Sequence, residues 1–96
     1  MDFGKALEIL KDGGMVHREG WNGKGMFLFH QVPTTIEMDI IPNMQSLPEL
    51  VKNEFVRRMA PIYYSDQIAL VNADNNISGW SPSTSDALAV DWQKYV

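Results

Sequence analysis

The 96-residue chain contains no cysteine, so neither a disulfide framework nor a thiolate metal site is open to it. Cations are scarce too: eight Lys and Arg stand against twelve Asp and Glu, a net charge of −4, with a pI near 4.9. Non-specific DNA or RNA binding rests on clustered Lys and Arg, so no nucleic-acid polymer is expected as partner. A small ligand with one or two phosphates is still allowed. No apolar run approaches the roughly 20 residues of a membrane span. Met1-Asp2-Phe3-Gly4-Lys5 lacks the basic region and apolar core of a signal peptide. These absences predict a soluble cytoplasmic protein with no membrane partner. His17 and His30 are the only histidines; in adjacent strands they would be neighbours, but no HExxH-like spacing accompanies them, and no metal or cofactor is expected.

What the chain does have is 45% hydrophobic residues and ten aromatics, enough to build the core of one small domain over residues 1–96. It has little room to enclose a ligand, so a pocket between subunits of a homo-oligomer is expected. Phe3, Ala6, Leu7 and Leu10 fall at helical spacing behind Asp2, with Gly13-Gly14 as a stop. Met15–Arg18 and Met26–Val32 read as a strand pair. Ile36, Met38 and Ile40 alternate with Glu37 and Asp39 as in a half-buried strand. Ser46-Leu47-Pro48-Glu49 has the form of a capping box, opening a helix to Met59 whose apolar face is Leu47, Leu50, Val51, Phe55 and Met59. Its polar side carries Lys52, Glu54, Arg57 and Arg58. Tyr63–Asn72 contains a strand that turns at Ala73–Asn76 and returns over Ile77–Trp80. Ser83-Thr84-Ser85-Asp86 caps a short helix, and Asp91–Val96 forms a last strand. The fold class predicted is α+β: a small, mostly antiparallel sheet with two to three helices, the N-terminal helix first.

The densest chemistry lies in Arg18-Glu19-Gly20-Trp21-Asn22-Gly23-Lys24-Gly25. An Asn-Gly pair beside an apolar run marks a tight turn, but a turn needs neither the tryptophan nor the two cations. It is not a P-loop, because Arg18 stands where the first glycine belongs and Gly25 where Ser or Thr must follow the lysine. The order of its glycines also fails the dinucleotide fingerprint. Two readings stay open, a hairpin turn and a glycine-rich anion cradle. Nothing arranges a nucleophile, base and acid as a hydrolytic triad would require. Trp92 is expected in the core. Trp21 and Trp80 stand at loop edges, where they either stack on a base or cover the local core.

Several separated segments resemble one family of small phage and prophage proteins. They are the Phe3–Leu7 helix, the run from Val16 through Arg18-Glu19-Gly20-Trp21-Asn22-Gly23-Lys24-Gly25 to Leu28, the turn at Asp74, Gly79-Trp80-Ser81-Pro82-Ser83, Asp86 with Leu88-Ala89, and Asp91-Trp92. The chain is identified on these as similar to the Thoeris anti-defence proteins of the second type. The resemblance covers roughly residues 3–29 and 74–93, and is least over 33–65. It implies a non-enzymatic sponge that binds and withholds the cyclic ADP-ribose isomer made by TIR-domain enzymes. It further implies a homotetramer with the signal held at subunit interfaces, and in some members a second pocket for cyclic dinucleotides. The ligand-binding residues so implied are Trp21, Asn22, Gly23, Lys24, Phe27, Asp74, Trp80, Ser81, Ser83, Thr84 and Asp86. Trp21 would wall the adenine, Asn22, Gly23 and Lys24 would donate to phosphate, and Ser81, Ser83 and Thr84 would offer hydroxyls. Asp74 or Asp86 would accept from ribose, unless Asp86 only caps its helix. Arg18 either meets ligand or pairs with Glu19 or Asp91. The rival functions are an enzyme that degrades the signal, an inhibitor that docks on a defence protein, and a structural phage protein.

Overall fold

In the computed structural model, which describes residues 1–21 and 25–96, the apolar i, i+3, i+4, i+7 pattern of the front segment becomes α1 (Phe3–Lys11). The Asp2 carboxylate accepts from the Lys5 backbone N–H at 2.9 Å, satisfying one of the donors that a helix start leaves open. Ala6 and Leu10 are fully buried. After the Gly13-Gly14 stop come β1 (Val16–Arg18) and β2 (Phe27–Gln31), paired antiparallel as predicted with Val16 opposite Leu28. Further on, β5 (Gln67–Val71), β6 (Ile77–Gly79), the short helix α3 (Thr84–Leu88) and β7 (Trp92–Lys94) follow. The strands form one five-stranded sheet in the order β6-β5-β2-β1-β7, every neighbour antiparallel.

Side chains alternate across a strand, and α1 covers one face of this sheet. Val16, Leu28 and Trp92 join Ala6 and Leu10 there in a buried cluster, with Phe3, Leu7, Trp21, Ile68, Leu70 and Trp80 packed around it. The opposite face carries His17, Phe27, Phe29 and Tyr95, whose rings touch in pairs; Phe27 and Tyr95 stack at 4.8 Å. The register places Val16 opposite Leu28 and His30 opposite Ile68, so by alternation His17 falls on the face opposite Val16 and His30 on the face of Leu28. The two histidines therefore lie on different faces and are not the neighbours expected. No cluster of three potential metal ligands occurs among the described residues.

The chain divides into two compact units, residues 1–31 with 67–96, and residues 32–66. The second contains β3 (Thr34–Ile36), a 3-10 turn at Ile41–Asn43, α2 (Glu49–Arg58) and β4 (Ile62–Tyr64). β3 and β4 pair as a separate two-stranded sheet. Two expectations are corrected here, and one is extended. The strand read over Ile36–Ile40 ends at Ile36, because the chain turns, with Ile40 N–H donating to the Glu37 carbonyl at 3.0 Å. The strand read within Tyr63–Asn72 is β5, and β4 is a further strand, begun at Ile62, in the other sheet. The capping box at Ser46–Glu49 does not form: Pro48 is the N-cap, extended at ψ 153°, and no side chain caps the helix. The helix starts at Glu49, too late for Ser46 to reach its first free N–H groups.

The architecture is α+β, mostly antiparallel, with an N-terminal helix first. No helix among the described residues is long and apolar enough to cross a membrane.

Candidate ligand-binding site

Trp92 is the centre from which the site is built. It starts β7 fully buried, and its indole N–H donates to the Asp86 carbonyl at 3.0 Å, so the polar tip of a core residue is satisfied. Three rings surround it: Phe3 at 5.3 Å, Trp21 edge-on at 5.6 Å and Trp80 edge-on at 5.9 Å between centroids. Edge-to-face placement suits the quadrupoles of aromatic rings. Trp80 reaches this row because its backbone N–H donates to the Ile68 carbonyl at 2.9 Å, continuing the β5–β6 hairpin past Gly79. Both loop-edge tryptophans are half-buried, and each has one side on the core.

Arg18 ends β1 beside this row, and two carboxylates converge on it. Its Nε donates to Asp91 Oδ1 at 2.9 Å and its Nη1 to Asp86 Oδ1 at 3.0 Å. Of the alternatives open from the sequence, the Asp91 pairing is present. Asp91 also takes the Gly20 N–H on Oδ2 at 3.2 Å and the Glu19 N–H on its carbonyl at 3.0 Å. The approach is close: a Cβ on Gly20 would stand 3.4 Å from Oδ2. Asp86 uses its other oxygen for the capping box, receiving the Ser83 N–H and hydroxyl at 3.0 and 2.9 Å while its own N–H donates to Ser83 Oγ. So Asp86 caps its helix, and binds Arg18 as well.

These contacts set the ionisation. The Arg18 guanidinium is raised further above its ordinary pKa by the hydrogen bonds to Asp91 and then Asp86. Burial pushes the Asp86 carboxyl up, but the Ser83 N–H, Arg18 and the Ser83 hydroxyl together outweigh it and hold it below the usual carboxylate range. Asp91 is held low chiefly by its hydrogen bond from Arg18, against some burial, with the Gly20 N–H adding to the effect.

The nominated residues divide accordingly. Trp21, Trp80 and Asp86 come together around Trp92, and Ser83 stands behind Asp86 with its hydroxyl committed to the cap. Ser81 and Thr84 are exposed nearby in sequence. Asp74 occupies the exposed β5–β6 turn, where Asn72 Oδ1 accepts from the Asp74 and Asn76 N–H groups at 2.9 and 3.0 Å. That turn meets the far end of the glycine loop, since Gly25, at φ +83°, faces Ala73. Phe27 lies on the other face of the sheet, away from the tryptophan row and against Tyr95. Asn22, Gly23 and Lys24 lie outside the described residues. A cavity of about 250 Å³ at the end of α1, lined by Ile9, Asp12, Gly14, Met15, Lys94 and Val96, contains none of the nominated residues. Sequence reasoning missed Phe3 as a member of the aromatic row. It offered Asp91 as a partner of Arg18 but not as the acceptor of the Glu19 and Gly20 N–H groups as well.

Comparison with known proteins finds likeness along nearly the whole chain. Residues 1–95 match the family described as the Thoeris anti-defense 2-like domain. The chain is also 39% identical over 92 residues to a protein named Thoeris anti-defense 2 from Bacillus phage SP01, covering 96% of this chain and 91% of that protein.

Proposed function

The chain belongs to the Thoeris anti-defense 2-like family, whose role is phage anti-defence, and we propose that it acts there as a non-catalytic sponge. It binds and withholds a cyclic ADP-ribose isomer made by TIR-domain enzymes, in the cytoplasm of the infected cell. The observation that carries this reading is the tryptophan row, in which Trp21 and Trp80 flank the buried Trp92 at 5.6 and 5.9 Å. A half-buried indole fixed from behind is a preformed platform on which a base can stack at little entropic cost. The backbone and side-chain donors of Asn22, Gly23 and Lys24, with the Ser81 and Thr84 hydroxyls, supply neutral and cationic partners for the two phosphates. Asp74 accepts from ribose.

The functional unit is a homotetramer holding the signal at its subunit interfaces. Support comes from residues 32–66, where Leu50, Met59 and Tyr63 are 83%, 77% and 72% exposed, a poor arrangement for a free monomer in water. A second pocket for cyclic dinucleotides belongs to the same proposal.

The test is capture and release. Protein is incubated with the purified cyclic ADP-ribose isomer, heated, and the supernatant analysed. Intact ligand, depleted before heating and recovered after it, is expected; conversion to a linear product would make the protein an enzyme. Calorimetry on the same nucleotide without any partner protein separates the third reading, because no heat with any cyclic nucleotide points to a direct inhibitor of a defence protein.

A further inference from the structure

The Arg18 network does more than pair charges. The Arg18, Asp86 and Asp91 side chains are 21%, 17% and 28% exposed, so their ion pairs are partly buried. The fold has its own anchor, the cluster of Ala6, Leu10, Val16, Leu28 and Trp92, to which none of the three belongs. Yet the network constrains one place in detail. Three successive residues, Arg18, Glu19 and Gly20, all donate to Asp91, and the Trp21 N–H donates to the Arg18 carbonyl at 3.2 Å. The second arm of the guanidinium holds Asp86, whose carbonyl fixes the Trp92 indole. A planar fork that spans two carboxylates sets both distance and angle, which a lysine ammonium cannot.

We propose that Arg18 and Asp91 are positioning residues for capture: they hold the base of the Trp21 loop against the start of α3 so that the stacking face of Trp21 is ordered before ligand arrives. Neither needs to touch the ligand. The inference rests on the sponge reading for its ligand, and on the geometry alone for the ordering of Trp21.

The experiment compares wild type with Arg18→Gln, Arg18→Lys and Asp91→Asn in three measurements: thermal midpoint, ligand-free hydrogen exchange at the Gly20 and Trp21 amides together with the near-UV circular dichroism of the tryptophan row, and calorimetric affinity for the cyclic ADP-ribose isomer. Arg18→Gln and Asp91→Asn should keep cooperative melting, exchange those two amides about tenfold faster or more, alter the near-UV signal, and weaken capture about tenfold or more, the scale on which a misplaced binding group is felt. Arg18→Lys should fall between, since it can serve one carboxylate only. A folded Arg18→Gln with wild-type exchange and affinity within about twofold overturns the proposal, as does unfolding of both Arg18→Gln and Asp91→Asn, which would make the network a fold determinant. Wild-type protein that binds no cyclic nucleotide sinks the sponge reading, while exchange and near-UV signal still decide whether Arg18 orders Trp21.

Discussion

Residues 1–31 with 67–96, and residues 32–66, solve the same problem of burying apolar surface in different ways. The first region places Ala6, Leu10, Val16, Leu28, Ala69, Val71 and Trp92 out of water, whereas the second buries only Ile41 and Ile62. Of the fourteen large apolar residues that are exposed among the described residues, nine lie in the second region: Val32, Met38, Ile40, Leu50, Val51, Val56, Met59, Tyr63 and Tyr64. Its helix α2 has no fully buried residue, and its sheet has two strands, a size that is marginal in water without further cover. A free segment of fewer than about 40 residues usually needs oligomerisation or cross-links to stay folded, and this chain has no cysteine to cross-link. One region is thus organised around its own core, and the other leaves most of its large apolar side chains exposed.

The harshest way to break that contrast is Trp92→Ala. Removing a fully buried indole with three ring contacts and a satisfied N–H should cost about 3–5 kcal/mol; thermal unfolding with far-UV dichroism should show the sheet lost or nearly so. Trp21→Ala acts on the rim of the same row. Capture measured by calorimetry should vanish, while the melting transition and the assembly survive. A variant that fails to fold would instead make Trp21 part of the core. In the second region, Leu50→Asp combined with Met59→Asp should leave the sheet region folded but lower the molecular mass seen by light scattering; an unchanged mass would remove that helix from the assembly.

Acid sharpens the comparison further. Asp86 and Asp91 are both held below their ordinary pKa in the folded protein, so their contribution to stability is fully present above the unfolded carboxylate value near 4 and is lost as pH falls through the folded values. Urea midpoints should therefore drop as pH falls below about 4, and Asp91→Asn should flatten the drop. The smallest effect belongs to the exposed Glu54–Arg57–Arg58 pairs on α2. Arg57→Ala should leave the thermal midpoint within error, as solvent-exposed ion pairs do.

Much of the first region is legible in the residues themselves, because its signals are local. The spacing of Phe3, Ala6, Leu7 and Leu10, the cap at Asp2, the Ser83–Asp86 box and the strand pair around the glycine loop all act within a few positions. The second region misleads for the same reason. Ile36, Met38 and Ile40 alternate as a strand does, but backbone pairing with β4 stops at Ile36, and Ser46–Glu49 has a capping pattern that Pro48 displaces by starting the helix late. The candidate site is legible in part. Trp21, Trp80 and Asp86 stand out as residue types at loop edges, whereas Phe27 reads as their neighbour in sequence and faces the other way.

Composition and local pattern alone decided that this is a small α+β chain without disulfides, thiolate metal sites or a basic face for nucleic acid, because these follow from which residues are present and how they are spaced. The tertiary structure alone decided that Trp92 stands between Trp21 and Trp80, and that Arg18 binds two carboxylates 68 and 73 positions away. Those pairings depend on strand order and register, which bring β7 beside β1 and set the face of every side chain by a period of two.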